Sequence, residues 1–424
     1  MGCFKKLKKN IWIFNHYATD TFKDLGGRHF WFAENLIKFG HHATIFCAST
    51  IHNTDENIDT VSHKYKTDEV NGIPYVFVKT PSYVGNGKQR IKNMIVFYKS
   101  IFPVAKEYAK SHGKPDVILA SSVHPLTLIA GIKLAKKFGI PCVCEMRDLW
   151  PESLIEYGSI KRNSLVANLL YRGERWIYKK CDKLIFTMEG GKDYIIERGW
   201  NKECGGPIDL TKVHHINNGV DLERFTENIK RYIVVDPDLN NPKLFKVVYT
   251  GSIRKANNVD RVVEIADIIQ KKGVNHIKFL IYGRGTEKEN LEKYCVEHGI
   301  KNIQFKGFVD KNHIPYVLSK SDLNIVQLFS ENGLKRFGTS VNKMFEYFAS
   351  GKPTLSGCEY GYDLIQKYQC GIVIDNASTN QLAEAIINLS NMPQDEVAIY
   401  SQNALKAAQD YDFKVLTRKL EQLL

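Results

Sequence analysis

Short apolar runs alternate with amphipathic segments along most of the chain. At the start, residues 11–14 and 43–47 have the composition of strands, and residues 28–39 between them show the spacing of an amphipathic helix that Gly40 ends. This order predicts a strand–helix–strand unit. The pattern continues with predicted strands at 75–78, 116–120, 142–145, 183–186 and 214–216, and with predicted helices near 90–110, 125–138 and 163–180.

The alternation repeats after a polar, proline-bearing stretch at 227–243 that shows neither period. Alternating strands and helices of this length form parallel sheets covered on both faces. We therefore expect an α/β protein of two Rossmann-like, doubly wound domains facing an interdomain cleft. The expected parts are an N-terminal domain over 1–226, a C-terminal domain over 227–400, and C-terminal helices over 401–424 that can pack on either domain. In the second domain the predicted strands are 245–249, 277–281, 303–305, 323–326 and 372–374.

Composition narrows the class of protein. The 424 residues include 59 Lys and Arg against 46 Asp and Glu, which gives a net charge of +13 and a pI near 9.1. Such a balance favours an anionic partner: nucleic acid, a membrane surface or a phosphorylated ligand. Residues 1–115 alone hold 17 basic and nine acidic side chains.

Cysteines and apolar runs exclude several other classes. The nine cysteines are scattered without a CxxC pair, which argues against a disulfide framework and against a zinc site. No apolar run approaches the ~18–20 residues needed to cross a bilayer, and no signal-peptide core follows the basic start. We expect a cytoplasmic protein that holds no metal.

Glycines with cations follow two predicted strands of the second half. Gly251 comes directly after a strand, and Arg254 and Lys255 stand in the turn that leads to the next helix. Gly283 and Arg284 repeat the arrangement one strand later. Glycine lets a ligand approach the backbone, and free N–H groups at a helix start favour anions. Both turns are candidate phosphate-binding loops, and a solvated turn is the alternative for each.

The densest candidate segment runs from Arg336 to Thr354. Gly338 and Ser340 stand where a helix is expected to begin, so backbone N–H groups there can hold a diphosphate. Glu346 lies further along this helix, where its carboxylate can accept hydrogen bonds from two vicinal hydroxyls of a ribose. A solvated helical glutamate is the alternative.

The string from Gly338 to Pro353 resembles the nucleotide-sugar motif of glycosyltransferase family 4, in the version found in enzymes of O-antigen and capsule assembly. Other segments resemble the same family in the same order along the chain. They are residues 14–18 with the Gly26-Gly27 turn, residues 121–125 and 145–153, and the NGVD sequence at 218–221 followed by Phe225. The resemblance extends from about residue 11 to residue 390.

This resemblance implies a GT-B fold and a retaining, metal-independent transfer that requires no cofactor beyond the nucleotide-sugar co-substrate. It places the donor on the C-terminal domain, with Glu346 at the ribose. The diphosphate would then meet the amides of Ser340, Val341, Asn342 and Lys343. Arg254 and Lys255 would face the charge that develops on the leaving group. Many family members carry a glutamate where this chain has Gly338, so the sugar contacts of that carboxylate are open.

The first domain contributes candidates at predicted strand ends. Gly26 and Gly27 follow the first strand and would let the donor approach, or form an ordinary turn. Asp148 follows a buried strand, which puts a carboxylate at the expected cleft. His124 and His16 are candidate acid–base groups; a packed histidine is the alternative reading, and in a retaining transfer the donor phosphate can itself act as base.

A basic amphipathic segment at 88–110 supplies a candidate membrane contact. It carries six cations against Glu107, with apolar residues at helical spacing. Such a helix can lie on an anionic bilayer, or its apolar face can belong to the domain core. With the family resemblance it suggests an enzyme peripheral to the inner face of the cytoplasmic membrane, with a polyprenyl-diphosphate-linked sugar or an oligosaccharide as acceptor.

The expected activity is that of a hexosyl- or N-acetylhexosaminyl-transferase, with a UDP-sugar favoured by the resemblance. A GT-B-fold epimerase or phosphorylase would share the same domains. A nucleic-acid-binding protein would match the pI, but the sequence shows no basic stripe with stacking aromatics beyond the segment near residue 95, so we expect no nucleic-acid partner. The oligomeric state, the donor sugar and the linkage stay open.

Overall fold

A computed structural model describes residues 7–52, 54–85, 87–122, 124–326 and 333–424. The chain forms two compact units. The first extends to Asn217 and takes up Phe413–Leu424, and the second is Asn218–Asp412. Each unit has its own sheet and its own core.

The first unit is built on a sheet with the order β3-β4-β2-β1-β5-β6-β7-β8. Its strands are β1 (Asn10–Phe14), β2 (His42–Ala48), β3 (Tyr65–Val70), β4 (Ile73–Val78), β5 (Val117–Ser121), β6 (Cys142–Met146), β7 (Lys183–Phe186) and β8 (Val213–His215). Its helices before residue 218 are α1 (Thr19–Asp24), α2 (Arg28–Lys38), α3 (Lys88–His112), α4 (Pro125–Phe138), α5 (Glu152–Glu156), α6 (Leu165–Lys180) and α7 (Gly191–Glu197).

Most strand pairs in this sheet are parallel, as the alternation of strands and helices predicts, and the exception is at the edge. There β3 runs antiparallel to β4. The strand β3 has the sequence YKTDEV and is largely exposed, so charged side chains cover an edge that would otherwise offer free backbone groups. The apolar pattern missed β3 because the strand has no buried face.

The second unit is built on a parallel sheet with the order β11-β10-β9-β12-β13-β14. Its strands are β9 (Phe245–Thr250), β10 (Ile277–Tyr282), β11 (Ile303–Gly307), β12 (Leu323–Ile325), β13 (Thr354–Ser356) and β14 (Gly371–Val373). Its helices are α8 (Leu222–Arg231), α9 (Val259–Lys271), α10 (Lys288–Glu297), α11 (Ile314–Ser319), α12 (Asn342–Ala349), α13 (Leu364–Tyr368), α14 (Thr379–Ser390) and α15 (Gln394–Asp410).

The last helix, α16 (Phe413–Glu421), belongs to the first unit and packs on α2. The Phe413 ring lies 4.6 Å from that of Trp31 and 5.4 Å from that of Phe32, centroid to centroid. By contrast α15 stays with the second unit. The terminal segment therefore separates at Asp412, between its two helices.

The division between the units comes earlier than the polar stretch at 227–243 suggests. The helix α8 already begins at Leu222 and ends at Arg231. Its N-cap, Asp221, accepts a hydrogen bond from the Arg224 backbone N–H at 3.1 Å. This helix packs on α11 and α12, so it is part of the second unit. Its single buried residue, Phe225, gives too weak an apolar stripe to be recognised from the sequence.

The cores consist of the apolar strands and the inward faces of the helices. Cys142 and Cys144 are buried on β6 as free thiols. In the parts of the chain that the structure describes, no helix combines the length and the apolar character that a bilayer crossing requires.

Candidate functional site

Two glycine turns at the carboxyl edge of the second sheet pack directly on each other. Gly251 follows β9 with φ +143°, and Gly283 follows β10 with φ +156°. A Cβ built on Gly283 would lie 1.8 Å from the Gly251 carbonyl oxygen, so no side chain fits there. The Gly251 N–H donates to the Tyr282 carbonyl at 3.0 Å. The two predicted loops are therefore one structure at adjacent strand ends.

Helix α12 is fastened to this edge by Tyr347. The buried Tyr347 hydroxyl accepts a hydrogen bond from the Thr250 backbone N–H at 3.0 Å and lies 3.2 Å from the Thr250 hydroxyl. This contact fixes the helix against the residue that precedes Gly251. Sequence reasoning did not single out Tyr347, although it stands inside the family motif.

Lys343 extends from the first turn of α12 to the Gly251 turn. Its Nζ lies 4.1 Å from the centroid of the Tyr249 ring, and a Cβ on Gly251 would come within 3.3 Å of it. Burial lowers the pKa of Lys343 to about 8. Among the described residues it forms no ion pair, so a partly desolvated cation faces the glycine turn without a carboxylate.

The loop before α12 is held by Asn218. The Asn218 side chain donates to the Ser340 carbonyl at 2.7 Å, which ties the NGVD sequence to the residues preceding the helix. The helix begins at Asn342, two residues later than the expected start at Ser340, and Val341 is its N-cap without a side-chain hydrogen bond. Gly338, at φ +94°, lies in the turn ahead of it.

Glu346 lies one turn into α12 and is half-buried. Burial raises the pKa of its carboxyl, and the nearby Lys311 opposes that shift. Within the described chain its side chain accepts no hydrogen bond. Its oxygens are thus available to a ligand's hydroxyl groups.

Arg254 and Lys255 lie exposed in the turn after Gly251. The turn is held from within, because Asn257 donates to the Ser252 carbonyl at 2.8 Å and Tyr249 donates to the same oxygen at 2.9 Å. Over the described ranges neither cation forms an ion pair. Arg284, after the neighbouring strand, stacks instead on the Phe308 ring at 4.6 Å.

The first unit has a different polar centre, which sequence reasoning missed. Glu145, at the end of β6, is fully buried and accepts hydrogen bonds from Arg28 at 2.7 Å, from Ser121 at 2.8 Å and, on the same carboxylate, from His29 at 3.0 Å. Burial opposes the charge on Glu145, but Arg28 and His29 outweigh it and hold the pKa well below its usual range. Arg28 also donates to the Ile216 carbonyl at 2.8 Å.

This network fixes the start of α2, which follows the Gly26-Gly27 turn. Gly27 is the N-cap of α2 and adopts φ +116°, a conformation that favours glycine. Gly26 is buried, and a Cβ there would lie 3.3 Å from the Trp31 ring. The turn is accordingly shaped by backbone geometry and packing, and its approach to a donor stays a prediction.

The two candidate histidines meet at the carboxyl edge of the first sheet. Nδ1 of His16, after β1, lies 2.7 Å from Nε2 of His124, the N-cap of α4. Asn93 of α3 completes the group with its Oδ1 2.6 Å from Nε2 of His16. Asp148 lies exposed after β6, and in the described structure no hydrogen bond joins it to His124.

Each unit is an α/β domain on a mainly parallel sheet, and the solved structures that match the whole chain give the class, the GT-B fold. A structure of Anabaena Alr3699/HepE in complex with UDP and glucose matches with a TM-score of 0.63 and 14% identity over 98% of each chain. WaaG, titled a glycosyltransferase involved in lipopolysaccharide biosynthesis, matches with a TM-score of 0.62 and 14% identity, covering 97% of this chain and 99% of that one.

Family models identify both units. Residues 32–224 match the model for Glycosyltransferase Family 4, and residues 236–407 match the model for Glycosyl transferases group 1. The chain therefore consists of a Glycosyltransferase Family 4 domain followed by a Glycosyl transferases group 1 domain, in agreement with the resemblance that the motifs show.

Curated relatives match only part of the chain. The chain is 21% identical to "Probable glycosyltransferase WbjE" of Pseudomonas aeruginosa over 59% of either protein. It is 27% identical to the poly(ribitol-phosphate) alpha-N-acetylglucosaminyltransferase of Staphylococcus aureus (strain COL) over 47% of this chain and 39% of that enzyme. The chain thus spans less than two thirds of the length of these relatives.

Proposed function

We propose that this protein is a retaining, metal-independent glycosyltransferase of bacterial surface polysaccharide assembly. It moves a hexosyl or N-acetylhexosaminyl group from a UDP-sugar to a polyprenyl-diphosphate-linked sugar or oligosaccharide. The observation that carries the proposal is Lys343, a partly desolvated cation directed at the Gly251 turn with no carboxylate partner in the described structure. A diphosphate at this turn would supply the missing negative charge.

The remaining groups of the second unit fit the other parts of a nucleotide-sugar. Glu346 would accept hydrogen bonds from the ribose hydroxyls, and the first amides of α12 would bind phosphate oxygens. Arg254 and Lys255 would face the charge that grows on the leaving diphosphate as the glycosidic bond breaks. Fixed cations stabilise such charge in place of a metal ion.

Similar proteins favour uridine and surface polysaccharide. HepE was solved with UDP and glucose, and WaaG is titled a lipopolysaccharide enzyme. Neither likeness specifies the donor of this chain, so the donor is proposed and must be measured.

The surface of α3 supports a peripheral membrane location. Phe97 and Ile101 of this helix are buried, whereas Ile91 and Ile95 are 52% and 40% exposed beside exposed lysines of the same helix. A cavity of about 610 Å³ next to α3 is lined by Lys64, Lys79 and Lys99 among others. Exposed apolar groups with surrounding cations suit an anionic leaflet.

A ligand-stabilisation screen tests the donor site. Thermal unfolding is followed with UDP-, GDP-, dTDP- and ADP-sugars, because a ligand that binds only the folded state raises Tm. We expect a UDP-sugar to raise Tm most, and Lys343→Met to reduce the shift. Lys352→Met is the matched control, since Lys352 is a half-buried lysine just after the same helix. No response to any of the four would overturn the assignment.

A product assay tests the reaction class. With a UDP-sugar and a polyprenyl-diphosphate-linked sugar, we expect a longer glycolipid whose new linkage keeps the donor's anomeric configuration by NMR. Chelation with EDTA should leave the rate unchanged. Formation of the epimeric sugar from the UDP-sugar without acceptor would instead indicate an epimerase.

Flotation with vesicles tests the membrane surface. The protein should float with anionic vesicles at low salt, and Ile91→Ser/Ile95→Ser should reduce the floated fraction. A wild-type protein that stays with the soluble fraction under those conditions would contradict the proposal.

A further inference from the structure

Three buried side chains of the first unit form a continuous series of hydrogen bonds, and the proposed function assigns them no role. Asn93, His16 and His124 come from α3, from the residues after β1 and from the start of α4, and each is at most 1% exposed. The contacts run from Asn93 Oδ1 to His16 Nε2 at 2.6 Å, and from His16 Nδ1 to His124 Nε2 at 2.7 Å.

The direction of the first hydrogen bond follows from the other contacts of Asn93. Its amide nitrogen lies 2.6 Å from the Pro81 carbonyl oxygen and 3.2 Å from the Thr50 hydroxyl. A carbonyl oxygen can only accept, so the NH₂ group must face Pro81. The Oδ1 atom therefore faces His16 and accepts a hydrogen bond from Nε2–H of that ring.

The second hydrogen bond is then determined as well. A neutral imidazole that carries its proton on Nε2 has a lone pair on Nδ1. Nδ1 of His16 must accept, so His124 donates its Nε2–H. The remaining atom, Nδ1 of His124, carries a lone pair; it is buried and has no hydrogen-bond partner among the described residues.

Both rings are neutral. Burial lowers the pKa of His16 well below its usual value and lowers that of His124 to about 3, and the Arg90 cation acts in the same direction on both. A ring with so low a pKa carries only one ring proton at neutral pH, so His124 is suited to accept a hydrogen bond at its other nitrogen and unsuited to act as a general acid.

We propose that Asn93 and His16 are positioning residues that hold His124 in the Nε2–H tautomer, so that its Nδ1 accepts a hydrogen bond from a hydroxyl group of a sugar substrate. The proposal rests on the proposed transferase function. A hydroxyl fits because it supplies a proton to the lone pair, whereas a carbonyl or phosphate oxygen would meet it with another lone pair.

The tautomer can be observed directly. In protein labelled with ¹⁵N-histidine, long-range ¹H–¹⁵N spectra distinguish protonated from unprotonated ring nitrogens, and His124→Ala assigns the signal. We expect His124 in the wild type to be a single Nε2–H tautomer at neutral pH, and His16→Phe or Asn93→Leu to allow both forms. A wild-type ring with its proton on Nδ1 would overturn the proposal, whatever the variants do.

Kinetics separate this proposal from the proposed function. His124→Ala should lower kcat about 100-fold, and His16→Phe and Asn93→Leu about tenfold, with unchanged affinity for UDP. His52→Phe is the matched control, because His52 also stacks near Tyr17, at 4.4 Å, but makes no hydrogen bond to His124 in the described structure. It should keep wild-type kcat.

The outcomes are distinguishable. If the protein transfers no sugar at all, the proposed function fails, whereas the tautomer measurement still stands. If His124→Ala is impaired but His16→Phe and Asn93→Leu both keep the wild-type kcat and the wild-type tautomer of His124, the positioning role is wrong. The slow hydrolysis of the UDP-sugar in the absence of acceptor identifies which substrate carries the hydroxyl group. His124→Ala should slow this hydrolysis if the hydroxyl belongs to the donor sugar, and leave its rate unchanged if the hydroxyl belongs to the acceptor.

Discussion

Glu145 of the first unit and Lys343 of the second are both withdrawn from water, but of these two only Glu145 has an oppositely charged partner among the described residues. In the first unit, Glu145 is fully buried. Arg28 matches its charge and His29 donates a hydrogen bond to it, while His16 and His124 are neutral. In the second, Lys343 is partly desolvated and, like Arg254 and Lys255, forms no ion pair in the described ranges.

The difference indicates where a charged ligand would bind. A buried charge without a partner is costly, and an incoming opposite charge relieves that cost. The second unit therefore suits an anion such as a diphosphate. In the first unit the buried charge of Glu145 is already paired with Arg28, and His16 and His124 are neutral polar groups, which suit the hydroxyl groups of an acceptor sugar.

Removing Glu145 is expected to have the largest effect, a loss of stability. Glu145→Ala leaves the Arg28 guanidinium buried without its carboxylate, which should cost about 3–5 kcal/mol of unfolding free energy. Urea denaturation measures the change. Glu56→Ala is the control, since its ion pair with Lys23 at 2.6 Å is exposed and contributes little. Equal effects in the two variants would contradict the argument.

The sequence was sufficient to locate candidate residues that lie within short segments. The glycine turns, Lys343 and Glu346 lie in short segments whose order along strand and helix can be predicted, and the structure places Lys343 at the Gly251 turn. Their roles toward a donor stay predictions.

The Glu145 network could not be found in this way. Its members Arg28 and Glu145 are separated by 117 residues, and nothing in either local segment identifies the other as partner. Asn93 left a signal that was overlooked, because it stands four residues before Phe97 and eight before Ile101 on the buried stripe of α3. A polar residue on such a stripe needs a buried partner.

Arg254→Ala is expected to have the next largest effect, a loss of activity. Loss of a fixed charge at the leaving group should lower kcat about 100- to 1000-fold. Because Arg254 is exposed and forms no ion pair within the described residues, Tm should not change. Arg231→Ala removes an exposed arginine of the same unit and should be neutral in both assays. A wild-type rate for Arg254→Ala would remove this residue from the site.

Glu346→Ala should weaken donor binding, by a smaller factor. A carboxylate that accepts hydrogen bonds from two ribose hydroxyls contributes roughly 1.5–3 kcal/mol per hydrogen bond lost, which predicts at least about a tenfold rise in Kd for UDP. Isothermal titration with UDP and with 2′-deoxy-UDP measures the contribution. The variant should lose its preference between the two ligands, and a preserved preference would show that the ribose contacts another group.

The smallest expected effect is a pH dependence of donor affinity, which tests the unpaired cation Lys343. The lowered pKa of Lys343, about 8, means that the free protein loses this charge as the pH rises past that value. A bound diphosphate favours the charged form and raises the pKa in the complex. Affinity should therefore be constant below pH 8 and fall above it, by up to about tenfold per pH unit for one linked proton.

A UDP-sugar is the appropriate ligand for this measurement, since free UDP has a terminal phosphate that itself titrates near pH ~6. Lys343→Met should bind more weakly at pH 7 and show no fall between pH 7 and 9, so that the two curves converge at high pH. Lys352→Met should keep the wild-type slope. If Lys343→Met retains that slope, another group titrates, and the contrast between the paired Glu145 of the first unit and the unpaired Lys343 of the second loses its main support.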